Sequence, residues 1–136
     1  MSTLRSFSII LAMLLTTGIA CAADFDGSQP LECTAIKGHD CLPTQNDCGP
    51  LKPQSDSPKP FLIDAAKKQV RSPFRTAMLA ILYTTTNRES LVLQGADLQF
   101  AWSAVINQTT GALTVTVADR KGAYVVFGQC KVAGAK

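Results

Sequence analysis

Side chains able to do chemistry gather near the start of the chain, where His39, Asp40, Cys41, Asp47 and Cys48 fall within ten positions. Imidazole, carboxylate and thiolate groups this close are the raw material of a metal site. Structural zinc, however, is held by paired cysteines or histidines a few residues apart, and this spacing supplies no such pair. Neither neighbouring cysteine pair is C-x-x-C, which removes a thioredoxin-like redox role. No metal ligands are therefore assigned. Acid–base work would fall to Asp64, Glu89, Asp97 and Asp119, each beside a turn signal, where acidic residues are ordinary. His39 is the one histidine, and no G-x-S-x-G segment offers a nucleophile elbow. No catalytic residue and no cofactor follow from these residues. The candidate ligand contacts are aromatic, Trp102 and Tyr83; Trp102 shares a strand face with Phe100, Ala104 and Ile106, so a core role competes for it.

The compartment decides how the cysteines are used. Arg5 precedes a short apolar run at residues 9–17 (IILAMLLTT), and Ala20-Cys21-Ala22 supplies the small residues that a signal peptidase requires. The run is shorter than the roughly 20 residues of a membrane span. Cleavage after Ala22 is expected, making residues 1–22 a signal peptide and leaving no membrane span in the mature chain. The alternative is a lipid anchor on Cys21, with Gly18 standing where a lipobox normally carries leucine. Either way the chain is exported, to the periplasm or beyond the cell. Removing the leader leaves four of the five cysteines, an even number that reads as two disulfides in an oxidising compartment. Cys41 and Cys48 bracket the turn-rich LPTQND, while Cys33 and Cys130 lie in the first and last strand-like runs. The preferred pairing is Cys33–Cys130 with Cys41–Cys48; in the chain-entropy model the long bridge contributes about 4.7 kcal/mol and the short one about 2.5.

Loss of Arg5 lowers the formal charge from +3 to +2. The basic residues are scattered, and Lys67-Lys68 and Arg120-Lys121 fall in turns, so a nucleic-acid partner is not expected. Residues 23–136 are long enough for one domain and one modest core. Residues 49–60 contain four of the seven prolines and read as an extended surface loop.

The elements that must position these residues are strands. Residues 98–130 read LQFAWSAVIN-QTTG-ALTVTVA-DRKG-AYVVFGQC, a three-strand antiparallel meander with turns ending in Gly111 and Gly122. Leu113, Val115 and Val117 fall on one face of the middle run and Thr114 and Thr116 on the other. Residues 76–86 are ambiguous: Met78, Leu79, Leu82 and Tyr83 make a helical stripe, while Ala77, Leu79, Ile81 and Tyr83 make a strand face. The threonine tail and the following Asn87-Arg88-Glu89-Ser90 turn favour a strand. Gly95-Ala96-Asp97 reads as a corner. Up to eight strands result, near 31–37, 60–64, 68–72, 76–85, 90–95, 98–106, 112–118 and 123–130. The expected fold is all-β, a single-domain antiparallel meander closed or flattened into a small barrel. Cys33 and Cys130 are expected on its outermost strands, stitching it shut.

Several short motifs go together: Phe25-Asp26-Gly27-Ser28-x-Pro30-Leu31-x-Cys33, Leu93-Gln94-Gly95, Trp102-Ser103, Thr110-Gly111, and Gly122-Ala123-x-Val125-Val126-Phe127-Gly128-x-Cys130. In these the mature chain resembles a group of small exported bacterial proteins of unknown function. The resemblance implies export and one β-rich domain, and no activity.

The expectation is a non-catalytic binding module for a small ligand or an envelope protein, with an inhibitor of an envelope-directed hydrolase as one form of it. In that form the 41–48 and proline-rich loops would make the contact. The alternatives are a small carboxylate-dependent hydrolase or isomerase, and a structural envelope protein.

Overall fold

The chain's period-two alternation becomes strand throughout. The structure, a computed structural model, describes residues 25–51, 59–73 and 76–135; the expected signal peptide, Cys21 and most of the proline-rich loop lie outside the described residues. Among the described residues ten strands form: β1 (Leu31–Cys41), β2 (Gly49–Pro50), β3 (Phe61–Asp64), β4 (Gln69–Arg71), β5 (Met78–Ala80), β6 (Tyr83–Thr86), β7 (Ser90–Asp97), β8 (Phe100–Asn107), β9 (Ala112–Asp119) and β10 (Ala123–Val132). Among the described residues no helix is long and apolar enough to cross a membrane.

All pairings are antiparallel, in the order β5-β4-β3-β1-β10-β9-β8-β7-β6, with β2 added to β1. The first and last long strands therefore pair along nearly their whole length, from Leu31↔Val132 to Cys41↔Ala123, with a bulge between Ala35 and Lys37. This corrects one expectation: Cys33 and Cys130 are on neighbouring strands in the middle of the order, and the ends of the sheet are β5 and β6. Those two ends are consecutive in the chain. At the corner between them Ile81 N–H donates to the Lys68 carbonyl on the β4 side (2.9 Å), and Leu82 N–H donates to the Gln94 carbonyl on β7 (2.8 Å). Residues 78–86 thus change partners midway, which curls the sheet into a barrel-like form. The corner also splits the expected face: Ile81 is buried, whereas Tyr83 turns outward.

Four hairpin turns share one device. Asp64, Asn87, Asn107 and Asp119 each accept backbone N–H bonds through Oδ1, from Lys67, from Glu89 and Ser90, from Thr109 and Thr110, and from Lys121 and Gly122 respectively. Such Asx turns replace the ladder's hydrogen bonds just where the chain reverses. The Asn107 turn ends in Gly111 at φ +71°, and a Cβ there would meet the Phe25 ring at 2.8 Å, so the N-terminal segment lies against this corner. The expected corner at Gly95–Asp97 moves on by two residues, because β7 runs through Asp97 and the chain reverses at Leu98–Gln99.

Leu31, Leu91, Leu93, Ile106 and Cys33 are the largest wholly buried side chains, joined by Ile63, Val70, Ile81, Trp102, Ala104, Leu113 and Cys130. Each large aliphatic one contributes roughly 1.5–3 kcal/mol on burial. The Cys33–Cys130 bridge joins directly opposed residues inside this core, and Cys41–Cys48 closes the loop at the far end of β1.

Candidate functional site

The sheet register decides which of the expected site residues meet. Asp64 ends β3, one step beyond the Leu31↔Ile63 pair, and Glu89 adjoins the Ser90↔Asn107 pair. Both therefore lie at the end of the sheet marked by Leu31 and Val132. Asp97 and Asp119 flank Phe100 at the opposite end, marked by Cys41 and Ala123. The carboxylates separate into two pairs a strand length apart, roughly 25 Å for eight residues. Asp64 and Asp119 serve the turns described above, and Asp97 Oδ1 accepts the N–H of Leu98 at 2.7 Å. The Asp64 carboxyl is held below the usual range by the Lys67 N–H and, less strongly, by the Lys67 side chain.

β1 runs past the expected end at residue 37 to Cys41, so His39 lies on a strand and pairs with Val125 on one side and Pro50 on the other. Cys41 and Cys48 are consumed as a disulfide, which withdraws the thiolates from the cluster around His39. Among the described residues no group of three or more metal-capable side chains converges.

Trp102 and Tyr83 occupy opposite faces of the sheet. Trp102, 8% exposed, belongs to the core, and its indole Nε1 has no hydrogen-bond partner among the described residues. Tyr83, 54% exposed, sits across from Gln94 on the outside. No ligand can lie against both side chains on the same face.

The outer face of β7–β10 carries the feature that reasoning from motifs passed over. Its outward positions are Ser90, Val92, Gln94 and Ala96 on β7, then Ala101, Ser103, Val105 and Asn107 on β8. On β9 they are Ala112, Thr114, Thr116 and Ala118, and on β10 Ala123, Val125, Phe127 and Gln129. None of these sixteen positions holds a charge; the first is Lys131, at the end of β10, where Nζ lies 3.1 Å from Glu32. Depletion of charge with aromatic and aliphatic exposure distinguishes the centre of an interface from ordinary surface. The signal was present in the sequence as the off-face residues of each alternating run.

Within this face lies a shallow recess of about 310 Å³. It is lined by Ala101 and Ser103 of β8, Thr116 and Ala118 of β9, Ala123 and Val125 of β10, and Gln94 of β7. The intervening Trp102, Val117 and Tyr124 complete the lining. The hollow exists because Ala101, Ala118 and Ala123 are opposed in register, so three small side chains lie abreast. Gln94, Ser103 and Thr116 form the adjacent row and give it its polar groups. Tyr83 extends that row by one strand. At one margin the Cys41–Cys48 loop approaches: Cys41 pairs with Ala123, and Leu42 lies against Gly122.

Comparison with protein-family models, with curated proteins and with solved structures returned no match.

Proposed function

We propose that the protein is an exported, non-catalytic binding module that takes a small, weakly polar ligand or a side chain of a protein partner in the recess on β7–β10. The supporting observation is the recess itself, about 310 Å³ and mostly apolar, with Gln94, Ser103 and Thr116 in one row and no charge at the sixteen outward positions around it. Ligand sites have this character: an apolar concavity of a few hundred cubic ångströms with a small number of placed polar groups. The turn duties of Asp64 and Asp119, and the separation of the four carboxylates into two ends, weigh against the hydrolase and isomerase alternatives. Export, to the periplasm or outside the cell, with or without a lipid on Cys21, accords with two disulfides in so short a chain.

The test is native mass spectrometry of protein purified from its own host, comparing wild type with Ala118→Gln, which fills the hollow. A bound mass in the wild type that is lost in the variant supports the reading. A bare wild-type monomer under several growth conditions, or a bound mass that the variant retains, removes it.

A second reading is favoured by the Cys41–Cys48 bridge. It lies outside the core, and residues 43–48 of the loop it closes are exposed, so it fixes the shape of a loop. An inhibitor presenting that loop to a hydrolase cleft would use such a device. Reducing and alkylating this bridge alone would then abolish inhibition and leave the fold intact.

A further inference from the structure

We infer that the occupant of the recess is Phe127 of a second copy of this chain, delivered across a two-fold axis that brings the two uncharged faces together. The inference rests on the recess being a binding site and names what fills it.

Charge is the first argument. In an interface built about a two-fold axis each side presents the same patch, and residues near the axis meet their own copies. Any charge there would face a like charge, which is destabilising between opposed strands. A face of sixteen outward positions without one charge can meet its own copy with no like-charge contact wherever the axis falls, in a chain that carries 23 charged residues, 13 basic and 10 acidic. A partner recognised by charge would not need it.

Shape is the second. Phe127 projects from the same face as the recess, two residues beyond Val125 on β10, or about 7 Å along the strand. It is 36% exposed, and Nζ of Lys37, its neighbour on β1, lies over its ring, 5.5 Å from the centroid. Knob and hollow are thus side by side on one surface. A two-fold axis passing between them places each Phe127 over the other molecule's hollow and closes the assembly at two copies. Had they lain on opposite sides of the barrel, the same contact would propagate without closing. Size agrees, since an apolar cavity of about 150 Å³ already admits benzene and this recess is about twice that, at about 310 Å³.

Area is the third. Four strands at about 4.8 Å spacing and eight residues at about 3.3 Å make a face of roughly 19 by 26 Å. That is about 500 Å² in projection before side-chain relief is counted, the same order as the ~800 Å² that each partner buries in a standard interface.

The experiment is sedimentation velocity on the oxidised chain from about 1 to 100 μM, for wild type, Phe127→Ser (hollow without knob) and Ala118→Gln (knob without hollow). The wild type should show a concentration-dependent dimer, and each variant alone should raise the dimer dissociation constant at least tenfold. An equimolar mixture of the two variants should regain dimer, because one knob–hollow contact is intact in the mixed pair. Circular dichroism on each variant reports folding independently of assembly. Wild type monomeric at 100 μM, dimer unchanged in both variants, or no recovery in the mixture overturns the inference. If the wild type is monomeric yet carries a ligand that Ala118→Gln loses, the second copy is excluded and the binding site stands. If neither dimer nor ligand depends on Ala118, both fall.

Discussion

Gly95 on β7 and Trp102 on β8 are directly opposed, and a Cβ on Gly95 would sit 2.5 Å from the indole Cε2 and Nε1. The Ala80 carbonyl oxygen of β5 closes on the same point. Indole and backbone share this space only because residue 95 has no side chain. Gly95→Ala must therefore displace either the ring or the β5–β7 approach that helps curl the sheet. Overpacking of this kind costs about 1–3 kcal/mol. Trp102 is the only tryptophan, so its fluorescence reports this site alone. Urea unfolding of the variant should show a lowered midpoint together with a shifted native emission maximum; a native spectrum and midpoint equal to wild type would show that the contact is not tight.

The two disulfides should separate in both energy and access. Cys33 and Cys130 are 97 residues apart and buried, whereas Cys41 and Cys48 are 7 apart, with Cys48 exposed. Constraint of the unfolded chain is worth about 4.7 kcal/mol for the first loop and about 2.5 for the second. Replacing both Cys33 and Cys130 by Ala should lower stability by at least 3 kcal/mol, because a core void adds to the lost cross-link. Replacing both Cys41 and Cys48 should cost less and leave the core intact. Under a graded dithiol, alkylation followed by mass spectrometry should find Cys41 and Cys48 modified first; simultaneous modification of all four would refute the difference in access.

How much of this is legible in the sequence follows from which interactions are local. The alternation of residues 98–130 marks inner and outer faces strand by strand, and β8, β9 and β10 lie where it places them. Cysteine count and spacing led to both bridges. Missed were features set by non-local pairing. Gly49–Pro50 became a strand because β1 runs on past Lys37 and offers an edge at His39 and Asp40. The 76–86 run broke in two because β4 and β7 both draw on it, and no local signal records a change of partner. The recess needed register: Ala101, Ala118 and Ala123 are unremarkable one by one and form a hollow only when opposed.

Asp119 distinguishes a turn-building carboxylate from a catalytic one. Its Oδ1 accepts N–H bonds from Lys121 (2.7 Å) and Gly122 (3.0 Å). Asparagine keeps that oxygen and alanine removes it. Asp119→Asn should therefore change the unfolding free energy by less than about 0.5 kcal/mol, and Asp119→Ala should cost about 1 kcal/mol or more. Thermal unfolding followed by circular dichroism checks both. If the asparagine variant lost as much stability as the alanine variant, the charge, not the acceptor geometry, would be the operative feature.

Asp26 should shape the acid limb of stability. The Ser28 side chain first, and then the Ser28 backbone N–H at 2.8 Å, stabilise its carboxylate and hold its pKa below the ordinary value. A group whose folded pKa is depressed binds its proton first in the unfolded chain. Its contribution is thus complete above the unfolded value of about 4 and is lost as pH falls through the lower, folded value. Asp64 acts in the same direction. Asp26→Asn retains the acceptor for Ser28 N–H but not the charge. Its melting temperature should lie below wild type at pH 6, and the gap should narrow on descent from about pH 4 to pH 2. A gap that stayed constant across this range would mean that the carboxylate's charge contributes nothing, and that the Phe25–Ser28 turn is held by acceptor geometry alone.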